Sequence, residues 1–334
     1  MSTMAPANSA HADPHTRAVP APPVPVRGYH ATIAVVLVAL PIAVLLCVRV
    51  GASVTVLPLL SMAGLLAILW RAHRHYRARG DTQRLGEALG ALALLIASGA
   101  AAGAISQLGL ALHRPLIDPW LATIDRATGF ASTAVTADLA ASPVRIALLG
   151  AAYLSSFPLI FLSAVVLALR GSREALWGLI FSFAAAIVLC AGCAALFPAI
   201  GAFPHLGLAP DVAARLPAGA GVYHLPAFDH FRGGGPITLD MLKLQGVVTF
   251  PSFHTALAWM TAFAWRQTRP IFILMLAWNA LVIVSTIPIG GHYGIDLIAG
   301  TLLWAAIHWW VSTRTGSASP ESQAGPIATT PTRA

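Results

Sequence analysis

Two histidines and one aspartate carry the chemistry open to this chain. His292 and Asp296 stand four residues apart, so on a helix they share a face and the carboxylate accepts the imidazole N–H. That bond fixes the tautomer and leaves the other ring nitrogen unprotonated, as a nucleophile requires. Pro288, Gly290 and Gly291 lie just upstream and let the backbone come close to a bound group. His254 follows Pro251 and Ser252, a pairing suited to the first turn of a helix, where unpaired backbone N–H groups can hold an anion. A histidine in that turn is placed to give a proton to an oxygen leaving the same anion. Together these groups describe phosphoryl or phosphodiester transfer. Three other readings compete: a facial metal triad, a polar pair that stabilises the bundle interior, and a proton relay in a transporter or structural membrane protein. The relay reading calls for inverted repeats, which the sequence does not display.

The elements that must hold these groups are membrane spans. Of 334 residues, 57% are hydrophobic and 10% charged, and mean hydropathy is +0.76, values that belong to a polytopic transmembrane helical bundle, all-α, rather than to a soluble domain. Eight candidate spans lie at 31–50, 53–70, 85–112, 145–169, 174–198, 252–266, 271–289 and 292–311, and the later six form a catalytic core. The sixth is short and is expected either to begin near Leu244 or to sit partly in the interface. Residues 1–29 and 312–334, rich in Pro, Ala, Ser and Thr without periodicity, read as disordered cytoplasmic tails around a transmembrane catalytic bundle at 30–311 (core 85–311, outer loop 201–246).

Arginine placement orients the bundle. Arg71, Arg74, Arg77, Arg79 and Arg84, then Arg170 and Arg173, then Arg266 and Arg269 fall on one side if the spans alternate, and positive-inside bias makes that side cytoplasmic. The segments 113–144 and 201–246, with His254 and His292, then share the outer face. The formal charge of +8 thus serves topology and lipid headgroups, not nucleic acid. Cys47, Cys190 and Cys193 lie in apolar runs and read as core hydrophobes. In the outer segments, Leu116, Ile117, Trp120, Leu121 and Ile124 form the stripe of an amphipathic interfacial helix. The length of the loop at 201–246 points to substrate selection.

Pro251-Ser252-Phe253-His254, and Ser285 followed by His292-Tyr293-Gly294-Ile295-Asp296, resemble the second and third signatures of the type 2 phosphatidic acid phosphatase superfamily, P-S-x-H and S-R-x5-H-x3-D. The wider strings at 250–256 and 291–293 are most similar to its inositol phosphorylceramide synthase (inositolphosphotransferase-like) branch. The resemblance covers residues 85–311. It implies His292 as nucleophile through a phosphohistidine, Asp296 as its partner, and His254 as general acid and then base. The family's first signature, K-x6-R-P, is half present: Arg114-Pro115 fits its end, Gln107 stands at the lysine, and Thr286 stands at the arginine of the third signature. Other groups must then meet the phosphate charge, and Ser252, Arg114, Arg232 and Lys243 are the candidates. The expectation is an integral membrane phosphotransferase acting on a lipid phosphate ester, without metal or cofactor. Its partners would be that lipid, a hydroxyl acceptor and membrane lipids. With water as acceptor it would be a lipid phosphate phosphatase. The setting expected is a bacterial inner membrane, with the site on its periplasmic or extracellular face; oligomeric state is not legible.

Overall fold

The computed structural model describes residues 27–315, so most of both tails lies outside the described residues. In order, the elements are α1 (Arg27–Val50), β1 (Ser53–Val54), α2 (Val56–Arg77), α3 (Gln83–Leu110), α4 (Asp118–Ala127), α5 (Ser132–Ala140), α6 (Pro143–Leu169) and α7 (Arg173–Leu196). The outer loop holds α8 (Ala202–Leu206), α9 (Pro210–Ala213), α10 (Leu225–Arg232) and β2 (Thr238–Leu239), and α11 (Phe253–Phe263), α12 (Arg269–Ser285) and α13 (Gly294–Thr315) complete the chain.

Helices α1, α2, α3, α6, α7 and α13 are each long and apolar enough to cross a membrane. The eight stretches read as spans correspond to these six together with the shorter apolar α11 and α12. Almost none of α2 is buried, and Leu57, Leu60 and Ile68 on it point outward. Such a surface is stable against hydrocarbon and costly against water. The chain is therefore an integral membrane protein.

The sixth span does not begin near Leu244: residues 243–252 are irregular and helix starts only at Phe253. Its 11 residues suffice because α11 is packed inside the bundle, and irregular backbone is tolerated where protein, not lipid, surrounds it. At Gly300 an added Cβ would lie 2.3 Å from the Ser252 carbonyl oxygen, so glycine is what lets α13 approach the start of α11.

The two ends of the bundle differ in chemistry. At one end Arg84 donates to the Leu169 carbonyl (3.1 Å), and buried Glu87 takes Arg77 (3.3 Å), Arg173 (3.0 Å) and the Trp177 indole N–H. The arginine-rich connections α2–α3 and α6–α7 thus meet there. At the other end β1 pairs in parallel with β2, Ser53 opposite Thr238 and Val54 opposite Leu239, which ties the outer loop to the α1–α2 connection. Removing one partner of a buried ion pair strands the others, so Glu87→Ala is expected to cost about 3 kcal/mol. Arg145→Ala, which breaks an exposed pair with Asp138, should cost under about 0.5 kcal/mol. Thermal unfolding in detergent compares the two, and equal midpoints would refute the role given to Glu87.

Candidate active site

The site is built where α11 and α13 begin. The Ser252 N–H donates to the Asp296 carbonyl at 3.0 Å, and the His292 N–H donates to the Thr286 carbonyl at 3.2 Å. Two glycines make the approach possible. A Cβ at Gly290 would lie 2.9 Å from His292 Cδ2 and 2.6 Å from the Thr286 oxygen. Gly291 has φ +70°, and its Cβ would lie 2.8 Å from Gly221 Cα, so the outer loop passes directly over this turn. The Gly221 N–H donates to the Ile289 carbonyl (2.7 Å) and the Ala202 N–H to the Gly291 carbonyl (2.9 Å).

His292 Nδ1 is 3.0 Å from Asp296 Oδ2, which also accepts the Tyr293 N–H at 2.9 Å. The pair is buried. An ionised carboxylate here makes Nδ1 the donor, so Nε2 carries the lone pair. Ser252 Oγ lies 3.5 Å from Nε2 and accepts from the Thr255 N–H and hydroxyl, which leaves its own proton to point at the imidazole. Burial holds His292 down, to about 4, with the Thr249 backbone pulling it up. Its imidazole is therefore neutral across the ordinary pH range.

His254 stands in the first turn of α11, within electrostatic reach of His292. Its ring is stacked on Tyr153 of α6, centroids 4.3 Å apart and planes 20° apart, and stands perpendicular to the Phe157 ring, centroids 5.6 Å apart. His254, Tyr153 and Tyr223 line a cavity of about 760 Å³ between α3, α6, α7 and α11. Its walls are mainly apolar, among them Ile96, Leu154, Phe161 and Ile187, and among the described residues no Lys, Arg, Asp or Glu lines them.

The amphipathic segment proves more specific than a helix lying at the interface. On α4 the buried face carries Asp118, Leu121, Ala122 and Asp125, while Trp120 and Ile124 of the expected stripe are 75% and 40% exposed. Asp118 accepts from the N–H groups of Ile200 (2.8 Å) and Gly201 (2.9 Å) and from the Tyr293 hydroxyl (3.1 Å). Asp125 accepts from the N–H groups of Gly294 (2.7 Å) and Ile295 (2.9 Å). These carboxylates satisfy donors that a helix start leaves orphaned. One therefore braces the turn around His292 and the other caps α13. The signal for them in the sequence is their spacing of seven residues, two helical turns apart on one face.

Among the described residues, the expected phosphate cations make no hydrogen bond to this network. Arg232 donates to the Arg114 carbonyl at 3.0 Å and sits over the Phe228 ring. The Arg114 side chain is exposed, and Lys243, 85% exposed, pairs with Asp240 at 3.8 Å. Gln107 is buried and donates to the Gln245 carbonyl at 3.1 Å, and Thr286 is buried and bonds its own helix. The two positions that would carry cations thus hold neutral side chains used in packing. Among the described residues, no group of three or more His, Cys, Asp or Glu side chains is arranged to hold a metal ion.

No curated protein and no solved structure matches the chain significantly. A protein-family model described as the PAP2 superfamily matches residues 119–310. That stretch takes in the α13 cap at Asp125, both histidines and Asp296, and on it the chain belongs to the PAP2 superfamily.

Proposed function

We propose that the protein is a lipid phosphotransferase, inositolphosphotransferase-like, working through a phosphohistidine on His292. The observation that carries this reading is the pinned imidazole: Nδ1 held by Asp296, Nε2 toward Ser252, beside a second histidine in the first turn of α11. In the first half reaction Nε2 attacks phosphorus, the bond from phosphorus to the lipid oxygen breaks, and protonated His254 gives its proton to that oxygen. In the second, a hydroxyl oxygen attacks phosphorus, its proton passes to His254, and the N–P bond breaks to restore His292. The first-turn N–H groups of α11 and the Ser252 hydroxyl would bind the phosphoryl oxygens. Arg114 and Arg232, joined by their hydrogen bond, are the cations proposed to meet the remaining charge, with Lys243 as an outer contact.

The uncharged cavity beside His254 supports a lipid as donor, because an apolar chain fits such walls without leaving a charge unpaired. Superfamily membership supports phosphatase or phosphotransferase chemistry. The neutral residues at Gln107 and Thr286, departures from the phosphatase signatures, favour transfer to an alcohol over transfer to water. By positive-inside bias the arginine-rich end is cytoplasmic and the site opens at the outer face of a bacterial inner membrane.

The test is purified protein in detergent with phosphate-labelled phosphatidylinositol, phosphatidate or a polyprenyl phosphate, with and without a lipid alcohol, and with chelator in parallel. Label transferred to the alcohol is expected. Free phosphate as the main product would make the protein a phosphatase, and loss of activity with chelator would overturn the mechanism.

A further inference from the structure

His292 is aimed by a hydrogen bond; His254 is not. Among the described residues, no side chain or backbone group hydrogen-bonds the His254 imidazole, and its contacts are ring faces and edges. A proton donor needs its ring nitrogens free for substrate, so a face contact is the kind of support that orients the ring without occupying them. Tyr153 provides it, with near-parallel planes at 20° and centroids 4.3 Å apart. Tyr153 is itself buried, and its hydroxyl is 3.2 Å from that of Tyr223. Tyr223 stands two residues after Gly221, the glycine that crosses the turn leading to His292.

We propose that Tyr153 is the positioning residue that aims His254, and that Tyr223 on the outer loop fixes Tyr153 in turn. The proposal rests on the reading of His254 as proton donor and acceptor. The outer loop thereby gains a definite role, because one segment, 221–223, is tied both to the turn carrying the nucleophile and, through two hydroxyls, to the ring carrying the proton. All three rings line the cavity, so a lipid seated there touches the assembly it depends on.

The experiment compares Tyr153→Leu, Tyr153→Phe and Tyr223→Phe in the full chain, measuring kcat and KM on the labelled lipid. Histidine-labelled protein is followed by NMR in parallel, with the His254 ring signal assigned by its loss in His254→Ala. Tyr153→Leu is expected to lower kcat about 30-fold with little change in KM, since misaimed proton transfer slows turnover rather than weakening binding. Tyr153→Phe keeps the stacked ring and should recover most of that turnover. Tyr223→Phe removes the same hydroxyl–hydroxyl bond and keeps the stack, so it should match Tyr153→Phe. The His254 signal should be shifted upfield by the stacked ring in wild type and in Tyr153→Phe, and lose that shift in Tyr153→Leu. A Tyr153→Phe variant as slow as Tyr153→Leu would move the role to the hydroxyl and overturn the proposal, as would an unshifted wild-type signal. If Tyr153→Leu does not fold, the two Phe variants and the wild-type signal still decide. A fully active His254→Ala would instead overturn the acid–base reading, while the ring signal continues to report on the stack.

Discussion

His292→Ala is expected to reduce transfer by about 10³-fold or more and to abolish acid-labile phosphate label on the protein, and to lower the unfolding midpoint because buried Asp296 loses its imidazole partner. The expectation follows from geometry. The Nδ1 bond to Asp296 at 3.0 Å occupies the imidazole's donor and leaves Nε2 as the group facing Ser252. Alanine removes that atom, while α13 keeps its cap on Asp125. Asp296→Asn should also be severe, because an amide can donate to Nδ1 and hold the imidazole in the tautomer that protonates Nε2, and it no longer stabilises the charge that develops on the ring. A fully active His292→Ala variant would refute the mechanism. Protonation of His292 gives a second check with a definite sign. The nucleophile works unprotonated, and burial holds it down to about 4, so acidifying from pH 8 through 6.5 leaves it neutral. A histidine-selective NMR titration, with the signal assigned by its loss in His292→Ala, should show its midpoint near 4. A midpoint at the ordinary value of about 6.5 would mean that the site is open to water in a way this packing does not allow.

Asp125→Ala is the second large effect, and it falls on stability first. Asp125 is buried and takes two backbone N–H groups at the start of α13. Hydrogen bonds to a charged group contribute more than neutral ones, and removal leaves both donors unsatisfied. The expected cost is about 3 kcal/mol. Because Gly294 and Ile295 lie between His292 and Asp296 in the chain, the same loss should loosen the histidine–aspartate pair and lower kcat by about 10-fold to 100-fold. Asp125→Asn keeps one acceptor oxygen and should fall between wild type and alanine in both measures. Thermal unfolding in detergent and turnover on the labelled lipid are read side by side. An Asp125→Ala protein with wild-type stability would show that α13 does not need this cap.

The class of molecule and the reacting groups can be read from residue order alone. Apolar runs of span length specify helices in a bilayer, because each can satisfy its own backbone only as helix. The four-residue spacing of His292 and Asp296 specifies a shared face, and Gly290 and Gly291 mark a close backbone approach. All of these are local, so they are legible along the chain. Tertiary structure decided what long-range contacts hold. Along the chain Asp118 and Asp125 are simply the polar side of an interfacial helix, and only the fold brings up the donors they meet, from residues 200–201 and 293–295. Tyr153 stands in an ordinary helical stretch, because its partner, His254, is about a hundred residues away in the chain. The start of the sixth span near Leu244 fails for the same reason: hydropathy does not distinguish an apolar segment facing lipid from one buried inside protein, and only packing shows that α11 can be half a span long. The pairing of the proposed phosphate cations is likewise beyond the sequence, since Arg114 and Arg232 are joined across more than a hundred residues by a backbone carbonyl that no spacing reveals.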